Sequence, residues 1–97
     1  MFVVTLKFDR NKDQAAQHMA AHNAWIQSGF DDGVFLLVGG LQPKTGGAVI
    51  AFNTSREDLE RRVQEDPFVK EGIVHADIIE ISPARLDDRL SFIRSDT

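Results

Sequence analysis

"VFLLVGGLQPKTGGAVIAF", residues 34–52, is the stretch that decides the fold of this chain. It holds two continuous apolar runs, VFLLV at 34–38 and AVIAF at 48–52, with a glycine-rich segment between them. Short apolar runs bounded by glycine and proline are typical of strands that are buried on both faces. We therefore expect a β-hairpin whose two strands need a covering layer on each side of the sheet.

One strand and one helix are predicted before the hairpin. Residues 2–8, FVVTLKF, alternate between two sides with the period of a β-strand. The polar segment 9–14 can cap a helix that extends to about Ser28, and Gly29 is suited to a left-handed stop. A short continuation of this helix as far as Gly33 fits the pattern as well.

A second helix and a last strand are predicted after the hairpin. The segment TSRE at 54–57 fits a capping box that begins at its threonine. The helix should end near Gln64, because Pro67 lacks a backbone donor and restricts the residue before it. DPFVKEG at 66–72 then forms a short capped turn, and IVHADIIEI at 73–81 forms the final strand.

The order of elements, β-α-β-β-α-β, predicts an α+β, ferredoxin-like fold with two helices on one face of a four-stranded antiparallel sheet. We expect one domain over residues 1–83 and a C-terminal tail, 84–97, that docks on the body or on a partner, or frays. The other face of the sheet stays apolar and has no covering layer in so short a chain. We therefore predict a homodimer that packs sheet to sheet and encloses a small-molecule pocket between the sheets.

Composition and charge exclude several classes of function. Eleven basic against 15 acidic residues give a net charge of −4 without a basic stripe, so no nucleic-acid partner is expected. The absence of cysteine excludes disulfides and thiolate chemistry. No secretory leader and no apolar run of about 20 residues is present, so we expect a cytoplasmic protein without a membrane partner.

His22 is the first candidate for chemistry. It lies on the apolar stripe of the first predicted helix, together with Ala15, Met19 and Ile26. A histidine there is either a hydrogen-bonded core residue or a general base or acid near neutral pH. Asp66 also has two readings, as the cap of the short turn and as the group that orients the imidazole. Both readings of Asp66 can hold together.

A metal site is the third alternative. His18 and His22 lie one helical turn apart, and both could bind one metal if Asp66 or His75 approached. Zinc proteases with this spacing carry a glutamate after the first histidine, and Met19 stands there instead. We therefore predict no metal, and no cofactor motif is visible in the sequence.

Three features together make the chain resemble the YciI-like (YCII-related) domain family: His22 on the first helix, the two glycines at 39–40, and the DPF motif at 66–68. The likeness covers nearly the whole chain, without the tail. It implies the fold of a dimeric α+β barrel. It also implies that the histidine and aspartate proposed as catalytic in the family fall on His22 and Asp66. Family members usually carry Gly-Pro where this chain has Gly-Gly, so we expect a looser turn at the pocket mouth.

The resemblance implies a cofactor-independent enzyme of the lyase, isomerase or dehydrohalogenase type. The histidine, oriented by the aspartate, would abstract or donate a proton on a small polar or aromatic substrate. The expected substrate-binding residues are Trp25, Gly39, Gly40 and Phe68. The alternative is a non-catalytic dimer that binds a small ligand or a protein partner, in which the pair only holds the first helix against the DPF turn.

Overall fold

Four strands and four helices make up the part of the protein that the structure describes. The computed structural model describes residues 1–94. The elements in chain order are β1 (Phe2–Phe8), α1 (Ala15–Asp31), β2 (Phe35–Gly40), β3 (Gly46–Ala51), α2 (Arg56–Gln64), α3 (Pro67–Lys70), β4 (Val74–Glu80) and α4 (Ser91–Arg94). Single 3₁₀ turns, Lys12–Gln14 and Asp88–Leu90, precede α1 and α4.

The strands form one antiparallel sheet in the order β2-β3-β1-β4. The predicted hairpin is the β2-β3 pair, and β1 and β4 pair although they lie at opposite ends of the chain. The helices α1, α2 and α3 pack against one face of this sheet. The predicted ferredoxin-like α+β fold is therefore confirmed.

The hydrophobic core lies between these helices and one face of the sheet. Alternate residues of β1, namely Phe2, Val4 and Leu6, point into it and are at most 5% exposed. Burial of each large apolar side chain contributes about 1.5–3 kcal/mol, and this is the main force that holds the helices on the sheet. The other buried members of the core are Trp25, Val34, Phe35, Val49, Ala51, Leu59, Val63, Phe68, Ile73 and Val74.

The opposite face of the sheet is open within one chain. Strand register places Leu37, Ile50, Val3 and Ile79 side by side across all four strands. Leu37 and Ile79, at the two edges, are 55% and 52% exposed. The apolar second face expected from the sequence is present, but in a single chain the strands of the hairpin are buried on one face only.

The C-terminal end of α1 lies beyond Gly29, the first of the two positions predicted for it, and before Gly33, the second. The helix continues to Asp31, and the chain turns at Gly33, which has a φ of +73°. Gly29 is therefore not a left-handed stop. A Cβ atom at this position would overlap the ring of Phe35, so glycine is needed here for the close approach of α1 to β2.

The caps of the two short helices lie close to the expected positions. Ser55, rather than Thr54, caps α2, because its hydroxyl accepts a hydrogen bond from the Asp58 amide at 3.1 Å. The capping box was therefore predicted one residue too early. Asp66 caps α3, and Pro67 occupies its first position, as the sequence predicted.

The C-terminal tail packs on the body of the domain as far as it is described. Ile93 in α4 is fully buried, and the ring of Phe92 meets the ring of Phe52 edge to face at 5.4 Å. Of the alternatives for the tail, docking on the chain's own body is the one seen, and residues 95–97 lie outside the described part. Within residues 1–94, no helix has the length and apolar character needed to cross a membrane.

Candidate active site

His22 and Asp66 are in direct contact. His22 lies in the middle of α1, and Asp66 lies at the N-terminus of α3, which packs against α1. Nδ1 of His22 is 2.7 Å from Oδ1 of Asp66, the short distance of a charge-assisted hydrogen bond. The Asp66 side chain is fully buried, whereas that of His22 is 13% exposed. The pair therefore has a buried carboxylate end and a histidine end that reaches the surface.

Asp66 uses one oxygen atom for two hydrogen bonds. Oδ1 accepts from His22 and also from the Phe68 amide, at 3.0 Å, which is the capping bond of α3. The other oxygen, Oδ2, is buried and has no hydrogen-bond partner among residues 1–94. An unpaired buried polar group costs about 1–3 kcal/mol, so both bonds at Oδ1 are needed to offset the burial of this carboxylate.

The imidazole plane is held by aromatic packing. The rings of His22 and Phe68 are stacked, with centroids 3.9 Å apart and planes 2° from parallel. Trp25 lies farther away, at 6.0 Å from the imidazole centroid, and its Nε1 donates to the Arg62 carbonyl oxygen at 2.9 Å. The hydrogen bond that Nδ1 donates to Asp66 and the face of Phe68 together fix both the direction and the plane of the imidazole.

The exposed edge of His22 faces a small cleft between α1 and the sheet. The cleft has a volume of about 220 Å³. It is bounded by α1 on one side, by the ends of β1, β3 and β4 below, and by α3 beside the imidazole. The lining residues are Leu6, Phe8, Met19, His22, Asn23, Gly46, Gly47, Phe68 and Val74. Most of this surface is apolar, and His22 and Asn23 are the two lining residues with nitrogen or oxygen in their side chains.

This arrangement determines which nitrogen of His22 is available for chemistry. An ionised carboxylate can only accept hydrogen bonds, so Nδ1 carries a hydrogen towards Asp66. In the neutral imidazole, Nε2 then has a free lone pair, and no described residue forms a hydrogen bond with it. Nε2 can therefore take a proton from a molecule in the cleft, and Asp66 would stabilise the imidazolium that forms.

Comparison with known protein families shows which family this chain belongs to. The YCII-related domain matches residues 1–82, which include every strand of the sheet. The chain belongs to the YCII-related domain family. No curated protein matches it. The family expected from the histidine, the paired glycines and the DPF motif is therefore confirmed.

A solved structure supports the fold of this YCII-related domain. It is 5-chloro-2-hydroxyhydroquinone dehydrochlorinase (TftG) from Burkholderia phenoliruptrix AC1100, in complex with 2,5-dihydroxybenzoquinone. The TM-score is 0.67 at 19% sequence identity, and the match covers 84% of this chain and 94% of that chain. At this identity the likeness shows a shared α+β fold and no more.

The expected substrate-binding residues of this YCII-related domain do not all meet at the cleft. Phe68 lines the cleft, whereas Trp25, Gly39 and Gly40 do not. Trp25 is a core residue behind the imidazole, because its indole is directed to the α2 backbone. Gly39 pairs with Ala48 on the open face of the sheet, and Gly40 is exposed at the end of β2.

The position of the cleft also differs from the expected one. The pocket expected between two sheets stays a prediction, because it would form only in a dimer. His22 is on α1, which packs on the helix-covered face, so the cleft of the single chain opens on that face. The glycines that line this cleft are Gly46 and Gly47 at the start of β3, whereas Gly39 and Gly40 at the end of β2 do not line it. Their signal in the sequence is weak, because glycines next to a turn are expected for the turn alone.

The ligand set of the metal alternative does not come together in this YCII-related domain. His75 lies on β4, with Nδ1 3.9 Å from Asp9 and Nε2 3.8 Å from Asp77, both exposed carboxylates. Within residues 1–94, no group of three His, Cys, Asp or Glu side chains is arranged to hold a metal ion. His18, one turn before His22, also lies outside the cleft lining.

A second depression lies along α2. It is an open groove of about 1500 Å³, bounded largely by charged side chains of that helix. Neither His22 nor Asp66 borders it. His22 therefore lines the small cleft and not the larger groove of this YCII-related domain.

Proposed function

We propose that this protein is a cofactor-independent enzyme in which His22 transfers a proton and Asp66 positions it. The observation that carries the proposal is the 2.7 Å contact of His22 with a fully buried carboxylate, combined with the opening of its other edge onto an apolar cleft. The substrate is a small polar or aromatic molecule, and the reaction is of the lyase, isomerase or dehydrohalogenase type.

A dehydrohalogenation illustrates the proton balance. Nε2 of His22 accepts a proton from the substrate, the freed electron pair forms a new double bond, and the halide leaves with the electrons of its bond to carbon. The net loss is one hydrogen halide, so no oxidant, reductant or cofactor is required. The similar fold of a dehydrochlorinase that was solved with a dihydroxybenzoquinone supports the choice of this reaction for the first assay.

A non-catalytic role is the second candidate, and one observation favours it. Asp66 is completely buried and caps α3, so its contact with His22 also joins α1 to α3. In this case the protein binds a small ligand or a protein partner, and the His22–Asp66 pair serves stability alone.

Chloride release from chlorinated hydroxyhydroquinones and chlorohydroquinones separates the two candidates. The proteins compared are wild type, His22→Gln and His18→Gln, where glutamine keeps a hydrogen-bonding amide but cannot shuttle a proton. We expect His22→Gln to lower turnover about 100-fold to 10,000-fold and His18→Gln to leave it unchanged. Equal turnover of wild type and His22→Gln would favour the non-catalytic role. The same holds if wild type shows no turnover and His22→Gln only lowers the stability of the protein.

We also propose that the protein is a cytoplasmic homodimer whose two sheets pack through their open faces. The row of Val3, Leu37, Ile50 and Ile79 across the sheet supports this arrangement, since monomers rarely leave such a continuous apolar row exposed. Sedimentation equilibrium provides the test. We expect a dimer for the wild type and a monomer for Leu37→Asp, and a monomeric wild type would contradict the proposal.

A further inference from the structure

We infer that Gly47 sets the size of the molecule that the cleft accepts, and that this molecule is a single flat ring with hydroxyl or carbonyl groups along one edge. The inference rests on the proposed function for the chemistry at His22. The size limit, however, follows from the walls of the cleft and can be measured without any turnover.

Gly47 faces the cleft through the register of the sheet. It pairs with Leu6 across β1 and β3. Residues directly opposite each other in antiparallel strands project to the same face. Leu6 is 5% exposed and points under α1, so a side chain at position 47 would point under α1 as well.

The backbone around Gly47 accepts a Cβ atom with a shift of a few tenths of an ångström in its neighbour. A Cβ atom there would meet only the Gly39 carbonyl oxygen within 4 Å, at 3.2 Å, and the residue is not in the left-handed region. Gly46 is different, because its φ is +143° and a Cβ atom there would collide with the Leu6 carbonyl oxygen. Gly46 is therefore required by its backbone conformation, whereas the lack of a side chain at Gly47 leaves open space in the cleft.

The volume and the walls of the cleft favour one ring. At about 220 Å³ the cleft is smaller than the roughly 300–1,000 Å³ of sites for drug-sized ligands, and it has room for about seven water molecules at roughly 30 Å³ each. The bare backbone at Gly46 and Gly47 gives a flat floor. The stacked rings of His22 and Phe68 form one wall.

The polar side chains lie on one side of the cleft. His22 and Asn23 are consecutive residues of α1, and the other lining side chains are apolar: Leu6, Phe8, Met19, Phe68 and Val74. A bound ring therefore directs its hydroxyl or carbonyl groups towards α1 and its carbon edge towards the strands. This orientation brings a polar substituent to Nε2 of His22.

NMR titration with two probes tests the size limit. The probes are hydroquinone, with one ring, and 1,4-naphthalenediol, with two fused rings. Alanine at position 47 would occupy roughly the space of one water molecule. We expect Gly47→Ala to weaken hydroquinone binding roughly 10-fold or more, the effect of one extra methyl group in a closely fitting pocket.

Truncation of Met19 enlarges the cleft, which is the opposite of the change made by Gly47→Ala. Met19 is 43% exposed at the rim of the cleft, so Met19→Ala enlarges the cleft with little risk to the fold. We expect Met19→Ala to strengthen naphthalenediol binding roughly 10-fold. The double variant, Gly47→Ala with Met19→Ala, is the matched control and should recover most of the hydroquinone affinity, because a merely damaged fold would not be repaired by the second truncation.

The outcomes separate this inference from the proposed function. Hydroquinone binding that depends on Gly47, without turnover of any substrate, supports the size limit and counts against the enzyme. A second outcome is that turnover depends on His22 but a folded Gly47→Ala variant binds hydroquinone as tightly as wild type. This outcome overturns the size limit and leaves the proposed function standing. If Gly47→Ala does not fold, a Met19→Ala variant that binds naphthalenediol no better than wild type overturns it as well.

Discussion

The contact between His22 and Asp66 predicts a coupling free energy between the two side chains. The Nδ1–Oδ1 distance is 2.7 Å and the carboxylate is fully buried. A hydrogen bond to a charged group contributes about 1.5–3 kcal/mol, and one between neutral groups contributes about 0.5–1.5 kcal/mol. Asp66→Asn keeps an oxygen that can accept both bonds and removes the charge. The difference, roughly 1–1.5 kcal/mol, is therefore the part of the interaction that depends on charge.

A double-mutant cycle measures this coupling. Wild type, His22→Ala, Asp66→Asn and the double variant are unfolded in urea at one fixed protein concentration, because the proposed homodimer would make stability depend on concentration. The fluorescence of Trp25, the single tryptophan of the sequence and a buried residue, reports unfolding. We expect the loss of stability in the double variant to be smaller than the sum of the two single losses by about 1 kcal/mol.

His18 supplies the matched control for the cycle. It lies one turn before His22 on α1, and among residues 1–94 it forms no hydrogen bond or ion pair with Asp66. The cycle of His18→Ala with Asp66→Asn should give a coupling within about 0.5 kcal/mol of zero, the usual limit of additivity for independent sites. A coupling for His22 that is equally small would refute the reasoning, because the buried carboxylate would then not hold the imidazole in solution.

Three further predictions concern stability and are checked by the same urea denaturation. Gly29→Ala should destabilise the protein by about 1–3 kcal/mol through overlap with Phe35, although alanine normally favours a helix, and a gain in stability would contradict the close approach of α1 to β2. Ser55→Ala should lower the free energy of unfolding by about 1 kcal/mol and Thr54→Ala by much less. The reverse order would mean that Thr54, and not Ser55, caps α2. Ile93→Ala should cost about 2–4 kcal/mol, because the side chain is fully buried, and no loss of stability would mean that the tail is detached in solution.

The fold could be predicted from the sequence because each element carries its own local signal. The alternation in β1, the apolar runs of the hairpin and the proline after Asp66 are read within a few residues. The end of α1 could not be predicted in this way. Gly29 lies where a helix stop is expected, and only the position of Phe35 on the neighbouring strand shows that the glycine serves close packing.

The two residues of the candidate pair could be predicted from the sequence, but the walls of the cleft could not. His22 and Asp66 are marked by their positions on a helix face and before a proline, and the structure brings them together. The cleft depends on which residue of β3 lies opposite Leu6, and strand register is a long-range property that a single sequence does not reveal. For the same reason, the sequence did not indicate that Gly47 lines the cleft.

The shared oxygen of Asp66 has a consequence for how this protein can change during evolution. One atom serves both the start of α3 and the orientation of His22, so a substitution at position 66 disturbs the helix cap and the direction of the imidazole at once. Variation at position 66 is therefore constrained by two separate contacts, those with His22 and with the Phe68 amide. If the proposed function holds, new substrate preferences arise at the cleft walls, and a library for directed evolution should keep Asp66 and vary Met19, Asn23 and Gly47.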